Sequence, residues 1–583
     1  MKNLVKYVAL VFVAVGLVSC VQDLNTQPID PNSSTSFNAD RMFTKCYSCM
    51  AVIGQSGPGE DSDVEDIDAG MSGFYRTIWY CNDLTTDEAF WIWDDDESRG
   101  LPTTNWTGSS GMIKGIYTRL NLNIKYCNHY LTYGPKETQE DMYRMAEVRW
   151  IRAFHYYYLM DLFLYAPFVT TESNEFPHYI SRQELYKWLV EELQALVTEL
   201  PAQRVQPYRV GKAAAQLLLA RIYLNADVYN KFNKAWTKGR ALDKALETAQ
   251  AVINDNPQHG LVVDSIVTDS GYVYTAYQRL FMGDNDRPDV MKEAIFQIYQ
   301  DGLYTQSYAG GNFLIAGPRY GGMSAWGIEA EWHALRTSPT LIDKFLKPLN
   351  MDRTTAEALI YNEAQMPTYM KDERAIFCSE GMTTPGKRNF DLSGKMGIGK
   401  DENFYESWAG VKFTGVYSTA SLPKLSPRRN KDWADTDIPM LRIAEAYLIR
   451  GEAKARKSGN WNDALDDVNI LRDRANAPEL NALTEETLLD EWSREFWFEG
   501  RRRMDLIRFN RFFGPAADQY RYHWEGRMGK QDGQQFFVSG TPEYMNWFPV
   551  PDEDKRSNPN FKTDVEGDSN NEYASQGGDG YAY

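Results

Sequence analysis

Residues 439–513, PMLRIAEAYLIRGEAKARKSGNWNDALDDVNILRDRANAPELNALTEETLLDEWSREFWFEGRRRMDLIRFNRFF, carry the strongest periodic signal in the chain. From Leu441 onward Ala444, Tyr447, Leu448, Gly451 and Ala455 recur every three or four residues, the spacing of one buried stripe along an amphipathic helix. Pro439 suits the first turn of that helix, where its missing N–H would have no partner in any case, and Gly459 suits its end. Ala464, Leu465, Val468 and Leu471 draw a second stripe, and two helices joined by so short a turn are expected to lie antiparallel. Thr484 reads as the N-cap of a third helix, with Glu485 and Glu486 at the positive end of its dipole and Leu488, Trp492 and Phe496 on its apolar face up to Gly500.

The same rhythm runs from Met112 to Asn254, in IKGIYTRLNLNIKYCNHYL, ETQEDMYRMAEVRWIRAFHYYYLMDLFLYAPF, RQELYKWLVEELQALVTEL, KAAAQLLLARIYLNADVY and DKALETAQAVI. Small residues (Ala146, Ala153, Ala214, Ala220, Ala245) fall where helices would cross. This pattern predicts tetratricopeptide-like pairs, although the spacing is too irregular for a strict repeat of about 34 residues. Between 256 and 437 the helical rhythm fades and Gly, Tyr, Trp and Pro dominate. So long a stretch is too aromatic for disorder and is expected to form a second lobe carried on the helices. The fold class is therefore mainly α: a scaffold over 39–255 with a ligand loop at 54–110, a loop-rich aromatic lobe over 256–437, and further helices over 438–564. The polar tail, 565–583, is expected to be disordered.

Residues 1–19 have two lysines followed by about a dozen apolar residues, too few for a membrane span of roughly 20. They read as a secretion signal. Leu17-Val18-Ser19-Cys20 resembles a bacterial lipobox, which implies cleavage before Cys20, acylation of its thiol and a polar tether over 20–38. The Cys46-Tyr-Ser-Cys49 spacing has no second pair and no βαβ context, so both thiols read as core packing. Six scattered histidines provide no transition-metal spacing. Asp61, Asp63 and Glu65 have part of an EF-hand spacing, but Asp66 stands where that loop needs glycine. Residues 394–400 open like a P-loop, but Asp401 follows where Ser or Thr would bind Mg²⁺. The net charge of -18 argues against nucleic acid or an anionic membrane surface as partner.

Aromatic residues make up 14% of the chain, more than core filling normally uses, and this surplus points to recognition of a flat, partly apolar ligand. A sugar fits that description: a receptor needs exposed rings for its C–H face and planar hydrogen-bonding groups for its hydroxyl rim. If Phe90–Glu97 is extended, Trp91 and Trp93 project on one side, directly before an acceptor-rich turn. The aromatic lobe adds Tyr304, Tyr308, Trp326 and Trp332. For catalysis, a glycoside hydrolase needs two carboxylates facing one sugar. Glu491, Glu495 and Glu499 share a helix face, and Asp87-Glu88 precedes Trp91, but Arg494 and Arg501–Arg503 beside the first group favour ion pairing. Binding without bond cleavage is the expectation.

LRIAEAYLIRGEA, NILRDRANAPE and LLDEWSREFWFEGRRRMDLIRF resemble the C-terminal signature of the SusD/RagB family of cell-surface glycan-binding lipoproteins of Bacteroidetes. AEVRWIRAFHYYYLMDLFLYAPF is similar to a second family motif, with Tyr165 in place of the usual glycine, and NWFPVPDEDKRSNPNFK is similar to the segment that closes the fold. SGFYRT, CNDLTTDEAFWIW, FMGDND, QDGLYTQSYAGG and DTDIPMLRIAEAYL resemble the starch-binding branch. That resemblance implies an arc of rings at Trp91, Tyr308 and Trp332, with edge contacts from Asp68 and Arg76. A further edge contact falls on Asp96, where the family's amide is replaced by a carboxylate that only accepts hydrogen bonds. It also implies a structural Ca²⁺ at Asp286, Asp435 and Asp437, and capture of α-glucan or maltooligosaccharide at the outer membrane for delivery to a SusC-like TonB-dependent transporter.

Overall fold

The computed structural model describes residues 37–55, 57–59, 62–65, 67–91, 93, 95, 100–101, 106–319, 326–352, 355–356, 371–378, 408–513, 530–531, 534–535 and 543–566. The signal, Cys20 and most of the tether, Asp96, the 394–400 stretch and the tail from 567 lie outside the described residues.

Helix α1 (Ala39–Ser48) opens on Asn38, whose side chain accepts the Arg41 N–H at 3.0 Å. After α2 (Phe74–Trp79) and the short strand β1 (Ala89–Trp91) come the long helices α3 (Gly111–Tyr133) and α4 (Gln139–Leu162). Thr138 and Asp141 close a reciprocal capping box on α4, which fixes where it starts. A hairpin of β2 (Tyr165–Phe168) and β3 (His178–Ser181), unforeseen in the sequence, interrupts the helical series. Ser181 ends β3 and, with Glu184, caps α5 (Arg182–Glu199). Helix α6 (Lys212–Leu224) is buried from Ala213 to Leu224 because it is apolar or small on nearly every side, which makes it a central helix. Helix α7 (Leu242–Asn254) completes the first run.

In the second lobe β4 (Ala294–Ile298), β5 (Leu335–Thr337) and α8 (Pro339–Leu346) precede β6 (Ile438–Arg442). Then follow α9 (Ile443–Ser458), α10 (Leu465–Arg474), α11 (Glu485–Phe496) and α12 (Arg502–Arg508). Consecutive helices from α3 to α7 pack in order, and α9 packs on α7 although the whole aromatic lobe separates them in sequence. The lobe is thus inserted into one continuous helical stack. Gly459 ends α9 in the left-handed conformation at φ +76°, and the Thr484 side chain accepts the Thr487 N–H, as the sequence predicts. Pro439 does not open α9. It lies in β6, which pairs antiparallel with β4 in a two-stranded ribbon with a register shift beside it, where the missing N–H costs no ladder bond.

The carboxylates considered for catalysis are sealed in ion pairs. Glu495 meets Arg442 at 3.0 Å and Arg474, and Glu499 meets Arg442 and Lys412, both at 2.7 Å. Glu491 meets Arg374 at 3.1 Å and Arg494 at 2.6 Å. Glu293 at the foot of β4 joins through Arg442 and Arg474, so the lattice binds the lobe to α10, α11 and β6. The three consecutive arginines diverge: Arg501 to Glu445 and Asp505, Arg502 to Asp87, Arg503 to Asp161. Burial alone would raise Glu495, but Arg474, Arg442 and Arg374 outweigh it and hold the carboxyl down at about 2; Glu491 is likewise depressed to about 2. Removing one partner from such a site leaves an uncompensated buried charge and costs about 3–5 kcal/mol.

Carboxyls depressed on folding contribute stability that is fully present above their unfolded pKa, near 4.5, and is lost as pH falls toward 2. Melting temperature is expected to hold above pH 5 and to fall steeply from pH 4.5 toward 2. Glu495→Gln should melt well below the parent at pH 7, and the gap should narrow with acid. A gap independent of pH would show that Glu495 is not ionised in the folded protein.

Candidate ligand-binding surface

Strand β1 pairs antiparallel with β5 through Ala89↔Thr337, Phe90↔Arg336 and Trp91↔Leu335. The ladder ends at Trp91↔Leu335, and the chain just beyond its two ends carries Trp93 and Trp332, so two segments distant in sequence deliver indoles to one place. Trp93 and Trp332 lie 6.2 Å apart at 30°, Trp332 and Tyr308 5.8 Å apart, and Tyr308 and Trp433 4.8 Å apart. Trp93 is 40% exposed, Tyr308 39% exposed, and Trp332 half-buried. Together they form an open, contiguous ring surface.

Trp91 departs from expectation. It is on the same side as Trp93, with ring centroids 5.4 Å apart, but only 4% exposed. Its indole N–H donates to Asp95 at 2.8 Å and its ring packs 5.3 Å from Tyr80. Trp91 is the last paired strand residue and faces the core; Trp93, one step past the ladder, takes the open position. Trp326 is sealed at 1% exposure and offers no platform, whereas Tyr304 is 84% exposed.

Arg76 also differs from the expected edge contact, being 3% exposed beneath the rings. Its guanidinium carbon lies 5.0 Å from the Trp91 centroid and 5.5 Å from that of Trp332. Its N–H groups donate to Gly70 O at 3.0 Å, Tyr308 O at 3.3 Å and Tyr80 Oη at 2.9 Å. A delocalised, weakly hydrated cation suits this position, since it attracts the ring faces above while its fork holds the backbone under Tyr308. Tyr308 is seated further by Gly59, at which a Cβ would come within 2.9 Å of the tyrosine ring, and by its own N–H on Pro58 O at 3.1 Å. Asp68 is exposed beside Gly70, on the Tyr308 side of the cluster, as a rim acceptor should be.

Trp433 and Tyr80 are participants that the sequence reading missed. Both stand next to motifs already singled out, DTDIP and SGFYRT, which is the signal that could have found them.

Asp435 and Asp437 lie where the 433–437 segment runs beside 300–302. Asp437 is wholly buried and accepts from Gln300 N at 2.7 Å and Gln297 Nε2 at 2.5 Å, and Asp435 accepts from Gly302 N at 2.9 Å and Tyr417 Oη at 2.5 Å. Burial pushes Asp437 well above the usual carboxylate range; the Gln300 N–H partly offsets this, and Asp286, Asp435 and Asp301 add repulsion. Asp286 is also raised, by burial and then by Asp284. The acids are gathered, but among the described residues no three His, Cys, Asp or Glu side chains are placed as a ligand set for a metal ion. Both oxygens of Asp435 and of Asp437 already accept protein hydrogen bonds, so the expected trio is not assembled as a cage.

Two cavities lie away from the rings. One, of about 320 Å³, is bounded by Trp236, Arg456 and Trp547; the other, of about 610 Å³, lies between α3, the β2–β3 hairpin and residues 551–557. Neither is lined by Trp93, Tyr308 or Trp332.

Comparison with known proteins places this geometry in a class. The SusD family profile matches residues 332–566. Over 94% of this chain and 95% of the relative, the sequence is 34% identical to the starch-binding protein SusD of Bacteroides thetaiotaomicron. The chain belongs to the SusD family. A SusD superfamily structure from Bacteroides vulgatus superposes with a TM-score of 0.60 at 16% identity, covering 90% of this chain and 97% of that one. A structure with xylogluco-oligosaccharide gives a TM-score of 0.60 at 15% identity, with coverage of 90% and 97%. These two establish the fold.

Arg76→Met tests the support beneath the rings, since it keeps the length of the side chain and removes its charge and donors. An unsatisfied buried acceptor costs about 1–3 kcal/mol. The near-ultraviolet circular dichroism of the tryptophan cluster is expected to collapse while the far-ultraviolet signal persists. Unchanged near-ultraviolet bands would mean that the rings hold their places without the guanidinium.

Proposed function

We propose that this chain is a cell-surface glycan-binding protein that captures starch-like α-glucan oligosaccharides and passes them to a SusC-like TonB-dependent transporter. The observation that carries this reading is the open surface of Trp93, Trp332 and Tyr308 with Asp68 on its Tyr308 side. The rings would stack on the apolar C–H faces of successive sugars, and rim groups would exchange hydrogen bonds with hydroxyls. No bond is broken: Glu491, Glu495, Glu499, Asp87 and Glu88 are all buried in structural contacts, out of reach from the open ring surface. The 34% identity to a starch-binding protein supports α-glucan as the ligand. A second reading, a different neutral glycan on the same rings, draws support from the fold relative with xylogluco-oligosaccharide and from Asp96, which accepts where the family's amide also donates.

Attachment is proposed through acylated Cys20 at the outer membrane. Among the described residues no helix is long and apolar enough to cross a membrane. Calcium is proposed to bind in the Asp286, Asp435 and Asp437 locality, where a hard cation would favour the ionised form of Asp437 against its burial and the neighbouring carboxylates, with rearrangement of the present hydrogen bonds. Millimolar Ca²⁺ should then raise the melting temperature relative to chelator, and no change would dismiss the ion.

Intrinsic tryptophan fluorescence should be titrated with maltoheptaose, dextran, inulin and a xylogluco-oligosaccharide. Maltoheptaose is expected to bind, with no reducing ends released over hours. Trp93→Ala should weaken binding at least about tenfold, equivalent to about 1.4 kcal/mol. Preference for another glycan would replace the starch reading, and undiminished binding by Trp93→Ala would refute the platform.

A further inference from the structure

A second group of exposed rings lies on and beside the segment that leads into Tyr308. Tyr299 follows β4 directly, and Tyr208 from the turn between α5 and α6 meets it, with centroids 5.9 Å apart at 50°. The two are 41% and 43% exposed, and Tyr304 between Tyr299 and Tyr308 is 84% exposed. Large apolar rings left open in one neighbourhood mark an interaction site rather than chance exposure.

The backbone fixes where this second group lies relative to the first. Gln300 N donates to the Asp437 carboxylate and Gly302 N to that of Asp435, so 300–302 lies beside 435–437 and turns at Gly302. Gly302 also abuts the Trp433 carbonyl, which a Cβ on it would approach to 2.6 Å, and the Trp433 ring touches Tyr308. Tyr299 is three residues from Gly302, at most about 10 Å along an extended chain. The Tyr208–Tyr299 pair therefore lies in the same neighbourhood as Tyr308, within the length that a heptasaccharide spans.

The turn that carries Tyr304 is braced. Thr305 Oγ1 donates to Asp301 O at 2.9 Å, the Gln306 amide to Gly302 O at 2.9 Å, and Arg429 to the Asp301 carboxylate at 2.7 Å. A ring held out on a rigid tip loses little backbone freedom on binding. A planar hydrogen-bonding group lies beside the turn as it does at a sugar rim: the half-exposed Arg429 guanidinium. The local carboxylates, Asp286, Asp301, Asp435 and Asp437, disfavour an anionic ligand.

We propose that Tyr208, Tyr299 and Tyr304 form a second subsite that takes further units of a long neutral glycan whose first units rest on Trp93, Trp332 and Tyr308. This rests on the glycan-binding reading above and adds a dependence on chain length to it.

Calorimetric titration of the intact protein with maltotriose and maltoheptaose tests the subsite, using Tyr208→Ala/Tyr299→Ala and, separately, Tyr304→Ala. The expected result is a loss of about fivefold in maltoheptaose affinity with maltotriose affinity unchanged, the scale of an aromatic contact. All three rings are exposed at the surface, so melting temperatures should match the parent and serve as the control for folding. Unaltered maltoheptaose affinity in both variants would overturn the subsite while leaving the primary platform intact. Equal losses for both lengths would also overturn it, because the tyrosines would then belong to the primary site. If the parent binds neither sugar, the α-glucan reading fails and the subsite on it fails too.

Discussion

Asp83, Asp87 and Glu88 enter the interior just before β1, and their carboxyls are met by groups of α8 and of the C-terminal helices. Asp87 pairs with Arg502 at 2.8 Å and Lys344 at 2.9 Å. Burial alone would raise its pKa, but those two cations hold it below the usual range. Asp83 accepts the backbone N–H groups of Gly500, Arg501 and Arg502, and Glu88 accepts the Ser493 hydroxyl at 2.6 Å. An unpaired buried charge is so costly that these partners admit few alternative arrangements. The residues leading into Trp91 and Trp93 are thus fastened to the opposite end of the chain, and the C-terminal helices fix where the rings begin.

From that anchor the surface is assembled by convergence. Strand β5 brings Trp332 to Trp93 through the register of a three-residue ladder, and the braced turn after β4 brings Tyr308. Arg76 lies beneath, touching the faces of Trp91 and Trp332 and the backbone of Tyr308 at once. Tyr308 and Trp332 arrive on segments held by backbone hydrogen bonds to Pro58, Arg76 and Ala316, so their rings are held in place although they sit among loops. Such a surface binds by shape and stacking, in keeping with a protein that holds a chain of sugars and releases it unchanged.

The helical frame was largely legible in the sequence because stripes at 3.6-residue spacing, caps such as Thr484 and stops such as Gly459 are local signals. Pro439 misled because a proline at a helix start and one in a two-stranded ribbon have the same local appearance; the partner, β4, is some 140 residues away. The ring cluster was legible by composition and family resemblance, but the roles within it were not. Alternation predicts that Trp91 and Trp93 share a side, and it cannot say that the ladder ends between them and buries the first. Arg76 likewise reads as an edge donor until its three acceptors and four neighbouring rings are seen to enclose it. In sequence Arg501–Arg503 read as ion-pair partners of Glu491, Glu495 and Glu499, but their targets lie in three separate parts of the fold.

Hydrogen exchange of the intact protein with and without saturating maltoheptaose tests the central claim most directly, since it reports contact residue by residue without altering the surface. The account predicts added protection in peptides covering 89–95, 304–310 and 330–335, with the helices from α3 to α7 unchanged. Protection centred on the helical stack or on the 551–557 cavity, with the ring segments unaffected, would contradict it.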